Sequence, residues 1–252
     1  MSKLALNCPH AKKCGGCQLQ NMSYQRQLGH KQVKVIKLLG KYRHVDEIIG
    51  MEHPYHYRNK VQAAFGERGR EIISGIYQSS THKIVPVDSC LIEDQKADEI
   101  IVTIRKLVKS FKLRAFNDEI MKGFLRHVLI KRGFSSGQIM VVLVTGTMDF
   151  PKQESFVNAL LSRHPDITTV VQCINTTDVP LFMDGRETVL YGSGFMEDVI
   201  GGIRFRVSAK SFLQINPTQT EKLYGLALEN AGLTGKETVL DAYCGVGTMS
   251  LL

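Results

Sequence analysis

The sequence predicts an α+β central domain, with an N-terminal cysteine-rich loop before it and the start of a Rossmann-like α/β domain after it. Three observations carry this. Short segments of alternating polarity mix with two amphipathic helical patterns between residues 21 and 207. Three cysteines, Cys8, Cys14 and Cys17, fall within ten residues near the N-terminus. The last stretch, Thr238-Val-Leu-Asp-Ala-Tyr-Cys-Gly-Val-Gly-Thr-Met-Ser-Leu-Leu252, reads as an apolar strand, an acid and a two-glycine turn opening a helix.

In Cys8-Pro-His-Ala-Lys-Lys-Cys14-Gly-Gly-Cys17, two glycines let the backbone fold around whatever the thiolates hold, and Cys90 follows far along the chain. Three clustered cysteines and one distant one suit a structural zinc or an iron–sulfur cluster. The spacing favours the cluster, because zinc sites more often use two separated pairs. For Cys90 a core thiol is the alternative, and His10 reads as a surface residue.

Ser23 is an N-cap for a helix ending near Gly40, with Leu28, Val35, Ile36 and Leu39 as its buried face. Lys31, Lys34, Lys37 and Lys41 form a basic stripe on it, either a phosphate-following surface or an ordinary solvated face. Residues 58–65, 72–77 and 82–87 read as strands. Asp94 caps a helix to Phe111 whose positions Ile100, Ile101, Ile104, Leu107, Val108 and Phe111 are core. Strands follow at 124–131 and 138–145, the first carrying Arg126, His127, Lys131 and Arg132 as candidate phosphate contacts. Pro151 opens a helix to Arg163. Strands at 168–174, 188–191, 196–200 and 203–207 close the region, with Cys173 a core thiol.

The last segment starts at Ser208. Asn216 caps a helix with Pro217 in its first position and Gly232 past its end. A strand at 237–242 leads into the glycine turn. The full dinucleotide fingerprint needs a third glycine where Ser250 stands, which disfavours a nicotinamide or flavin dinucleotide. One strand and one loop cannot complete a doubly wound sheet, so the chain is expected to be cut off as its last domain begins, exposing Val239, Leu240, Leu251 and Leu252.

Composition narrows the partner. Hydrophobic content of 43%, charged content of 22%, a net charge of +8 and a pI near 9.2 describe a soluble basic protein with a polyanionic partner, foremost nucleic acid. No apolar run reaches the length of a membrane span, and the N-terminus has no signal-peptide core, so a cytoplasmic protein is expected. In a reducing compartment the six cysteines are metal ligands or core residues rather than disulfides.

Together these motifs resemble the bacterial RNA (uracil-5-)-methyltransferases, most closely the iron–sulfur branch that modifies 23S rRNA. CPHAKKCGGCQLQNMSYQRQL, YRNKVQAAF, HKIVPVDSCLI, LRHVLIKRG, SFLQINPTQTEKLY and LDAYCGVGTMSL each match a family block, in family order. The resemblance implies a class I methyltransferase domain at 208–252, a cluster loop at 1–20 and an RNA-binding domain at 21–207. It implies that Cys8, Cys14, Cys17 and Cys90 hold a four-iron four-sulfur cluster, and that Gln214, Tyr243, Gly245 and Thr248 meet S-adenosylmethionine. A monomer acting on 23S rRNA is expected. The family's chemistry adds a cysteine to carbon 6 of uracil, and its nucleophile and base blocks do not occur here. Cys173 and Cys244 fill neither role, so no catalytic residue is assigned. An alternative reading is an inactive iron–sulfur RNA-binding fragment.

Overall fold

The computed structural model describes residues 8–79, 81–176, 185–245 and 247–252 of the chain. The first seven residues of the expected 1–20 loop, on which the signal-peptide reading partly rests, lie outside the described residues.

A seven-stranded sheet organises the molecule. Its strands are β1 (Lys60–Arg68), β2 (Glu71–Tyr77), β3 (Ile84–Pro86), β4 (Leu125–Arg132), β5 (Ile139–Thr145), β6 (Ile167–Ile174) and β7 (Arg186–Tyr191), in the order β3-β2-β1-β4-β5-β6-β7. Among the described strands only the β5–β6 pair is parallel, and the crossover it needs is supplied by α3 (Gln153–Leu161). A separate hairpin, β8 (Phe195–Ile200) and β9 (Ile203–Ser208), forms a two-stranded sheet among the described residues.

The side-chain period of two splits the sheet's residues between two cores. Ile139, Val141 and Leu143 of β5 enter a core with α2 (Gln95–Ser110) and α3. Met140, Val142 and Val144 enter a second core with Met196 and Val207 of the hairpin and Leu213 beyond it. The all-apolar run of β5 therefore reflects a strand covered on both faces.

The α2 helix forms where its sequence places it. The Asp94 carboxylate accepts from Ala97 N at 3.1 Å, and Ile100, Ile101, Ile104, Leu107 and Val108 are all buried. Full burial of a side chain such as Ile104 contributes about 2 kcal/mol. The last helix, α4 (Pro217–Ala231), also follows its caps: Asn216 Oδ1 accepts from Gln219 N, and Gly232 turns left-handed at φ +58°.

Three expectations fail. The helix α1 (Tyr24–Leu39) forms with Ser23 as its cap, but it buries no residue, and Val35, Ile36 and Leu39 are exposed. It is held instead by the returning segment: Met51 N donates to the Tyr24 hydroxyl and Gln32 Nε2 donates to Asp46 O. Pro151 lies two residues before α3, whose cap is Lys152 in a left-handed conformation. No strand forms at 237–242, because no neighbouring strand among the described residues offers it hydrogen bonds.

Candidate functional site

The thiol loop is fastened to the end of β2. Gly15 N donates to Tyr77 O at 3.2 Å, and Cys14 bridges Gln78. A side chain at Gly15 would place its Cβ 2.9 Å from that same carbonyl, so only glycine permits the approach. Cys8, Cys14 and Cys17 are half-buried. Burial raises the Cys17 thiol pKa. Arg58 opposes this, and Cys14, Cys8 and Glu93 add to it.

Cys90 follows β3. Its N–H donates to Asp98 Oδ2 at 2.7 Å, and burial, then Glu93, push its thiol up to about 12. Glu93 is itself raised to about 7 by burial and by Asp98, and Asp98 to about 6, chiefly by burial. Glu93 thus sits within electrostatic reach of both Cys17 and Cys90. Among the described residues no three Cys, His, Asp or Glu side chains are gathered tightly enough for a single metal ion. The structure therefore does not gather Cys8, Cys14, Cys17 and Cys90 into a donor set, whether for zinc or for a cluster. All four thiols are half-buried, and Cys17 and Cys90 have Glu93 as a common electrostatic neighbour.

The glycine turn forms as a turn. Gly245 and Gly247 take φ of +57° and +75°, and Gly247 N donates to Cys244 O at 2.8 Å. Ser250 donates to Asp241 Oδ2 at 2.8 Å, so the residue in the third-glycine position closes the turn. Gln214 and Thr248 are half-buried, Gly245 is exposed and Tyr243 is 98% exposed. None of these four lines any of the three cavities described below, so the structure does not gather them into a formed pocket.

The basic residues of β4 are not free phosphate contacts. Lys131 is fully buried, and its ammonium donates to the carbonyls of Ser208, Ala209 and Ser211 at 2.9, 2.8 and 2.7 Å. Burial and Lys60 push its pKa down to about 7. Arg126 pairs with Asp118 and donates to Asn175 O, and Arg132 pairs with Asp94 at 2.6 Å. Burial, then Arg126, lowers His127 to about 4, which leaves it neutral.

Sequence reasoning missed Phe212. It is 70% exposed and lies 5.1 Å from the Lys60 ammonium, while its neighbour Leu213 is buried. The alternation in Ser211-Phe-Leu-Gln was the available signal. A cavity of about 340 Å³ opens beside the thiol loop, lined by Cys17, Tyr55, Tyr57, Arg58, Asn216 and Gln219 among others.

No protein-family model matches the chain. The chain is 45% identical over 251 residues to an uncharacterized RNA methyltransferase of Clostridium acetobutylicum, covering 97% of this chain and 55% of that protein. It is 40% identical over 249 residues to an uncharacterized RNA methyltransferase of Halalkalibacterium halodurans, covering 97% of this chain and 54% of that one. The class its relatives define is thus that of the RNA methyltransferases, which are enzymes. The chain spans about half the length of these curated relatives. In fold it matches the Pyrococcus abyssi tRNA (uracil-54, C5)-methyltransferase in complex with S-adenosyl-L-homocysteine, with a TM-score of 0.77 at 24% identity, over 94% of this chain and 55% of that one. Among the described residues no helix is long and apolar enough to cross a membrane.

Proposed function

We propose that the protein carrying this chain methylates carbon 5 of a uridine in 23S rRNA, using S-adenosylmethionine. The observation that carries this reading is the 45% identity, along 97% of the chain, to an RNA methyltransferase. The net charge of +8 and the fold shared with a uracil-C5 enzyme support it.

Carbon 5 of uracil is a weak nucleophile. A cysteine thiolate adds to carbon 6 and leaves an enolate. Carbon 5 then bonds the methyl group as the sulfonium–methyl bond breaks, releasing S-adenosylhomocysteine. A base takes the proton from carbon 5 and the thiolate is expelled. The target base must leave its stack to reach such a site, and the exposed Phe212 ring beside Lys60 offers it or a neighbour a surface. Cys173 is fully buried and Cys244 lies in the glycine turn, so neither is assigned the nucleophile's role.

In this reading residues 1–20 form the cluster loop, 21–207 the RNA-binding domain and 208–252 the start of the methyltransferase domain. Gln214, Tyr243, Gly245 and Thr248 face the methyl donor. Cys8, Cys14, Cys17 and Cys90 hold a four-iron four-sulfur cluster, whose contribution is to clasp the N-terminal loop to the segment after β3. The protein acts in the cytoplasm as a monomer. A second reading, tRNA as the substrate, is favoured by the name of the matching Pyrococcus structure.

The test is to delete the gene and map 5-methyluridine in cellular RNA. Loss of one 5-methyluridine from 23S rRNA, restored by complementation, is expected. Loss from tRNA instead would replace the rRNA assignment, and unchanged 5-methyluridine in both would refute the reading.

A further inference from the structure

Among the described residues, the face of the sheet that holds the second core is only half covered. The β8–β9 hairpin packs over Met140, Val142, Val144, Val171 and Cys173, on β5 and β6. Over β1, β2 and β4 the same face opens into two cavities, of about 290 and 590 Å³, that share Tyr77 in their walls. Three small residues, Ala64, Gly66 and Gly75, lie in their floor, with Ala64 paired to Gly75 and Gly66 paired to Ile73 across β1 and β2. A Cβ on Gly75 would fall 2.0 Å from Val85 O, so this floor cannot acquire a side chain there without moving the backbone.

Tyr77 stands where the cavities meet. His82 and His127 hold its ring edge-on at 6.0 and 6.2 Å, which fixes the ring's orientation. The far cavity is rimmed by Arg68, Lys83 and Lys122, which are exposed and make no ion pair among the described residues. Of the acidic residues there, Glu67 is neutralised by Arg114 and Asp118 by Arg126, leaving Glu119 against three cations. The near cavity is walled by Arg58 and Lys60 against one acidic residue, Glu93, and Lys60 reaches Phe212. The trough therefore carries a surplus of positive charge, a fixed aromatic ring and a floor that admits a flat group. A polyanion bearing planar bases matches all three.

We propose that this trough holds a single-stranded segment of the substrate RNA beside the target base, with one nucleobase stacked on Tyr77 and phosphates met by Arg68, Lys83 and Lys122. The inference rests on the RNA reading above and adds where the flanking strand runs. A duplex cannot use this arrangement, because its bases are stacked on one another and not on the protein.

The test is binding of a fluorescein-labelled 12-nucleotide single-stranded oligouridylate to the full chain, followed by anisotropy across a salt series. Tyr77→Ala is expected to weaken binding about tenfold or more, while Tyr77→Phe retains it. Lys83→Glu with Lys122→Glu, both on exposed positions, is expected to reduce the slope of log K against log salt by about 0.7 for each lost phosphate contact. If the unaltered chain binds oligouridylate and the lysine reversals leave both affinity and slope unchanged, the trough is overturned and the RNA reading stands. If the unaltered chain binds a 12-base-pair RNA duplex as tightly as the single strand, the single-strand assignment is overturned. If it binds no RNA, both fall.

Discussion

The Lys131 ammonium donates to the Ser211 carbonyl at 2.7 Å, joining the buried end of β4 to the segment that leads into α4. Ser208 O and Ala209 O complete the set, and Asn59 N donates to Ile215 O close by. Replacing Lys131 by Met leaves three carbonyls without their donor and is expected to cost about 3 kcal/mol. Hydrogen exchange should rise at residues 208–213 before it rises in β5. Unchanged protection there would mean that the lysine does not hold the segment.

His127 sets an acid limit on stability. Its folded-state pKa of about 4 lies below the ordinary histidine value, so the folded protein prefers the neutral ring. The unfolded chain takes up the proton first as pH falls. The stabilising contribution is therefore complete above about pH 6.5 and is lost between there and pH 4, by about 3 kcal/mol at most. Urea unfolding of the unaltered protein and of His127→Gln at pH 7 and pH 4.5 should show a smaller acid loss in the variant. Equal losses would contradict this account.

Asp94 does two things at once. One oxygen caps α2 through Ala97 N, and the other accepts from Arg132 Nη1 at 2.6 Å. Asp94→Ala is expected to lower stability by about 2 kcal/mol, and Asp94→Asn, which keeps the cap acceptor, by about half of that. Denaturant midpoints of the two variants would separate the effects, and equal midpoints would assign the whole cost to the charge.

The cysteines divide by position. Cys90→Ser is expected to abolish a complement of about four iron and four sulfide per chain after anaerobic reconstitution. Cys173→Ser alters a fully buried thiol in the second core and should leave iron and sulfide unchanged. Iron retained by Cys90→Ser, or zinc bound in its place by the unaltered chain, would remove the cluster from this account.

The elements with local signals were legible in the sequence. Asp94 with its run of isoleucines, and Asn216-Pro217 with Gly232, named two helices by their caps, because capping is decided within one turn. The parallel β5–β6 pair and the half-covered sheet face were not legible, because they depend on contacts far apart in sequence. Lys131 read as a phosphate contact for the same reason: only tertiary structure brings Ser208, Ala209 and Ser211 to its ammonium. The 237–242 strand pattern was sound in its residues, but a strand needs a partner, and Leu240 is 87% exposed here. Of the candidate site, the glycine turn follows the sequence, while Phe212, the Tyr77 trough and the thiol loop's attachment to Tyr77 emerge only from the fold.

The central claim is methyl transfer to carbon 5 of uridine, and it is tested most directly by tritium release. The protein carrying this chain would be incubated with S-adenosylmethionine and 23S rRNA transcribed with uridine tritiated at carbon 5. Methylation at that carbon displaces its hydrogen, so the account predicts tritium in the water, dependent on S-adenosylmethionine and equal in amount to the methyl groups incorporated. Methyl incorporation with no tritium release would place the modification on another atom and contradict the account.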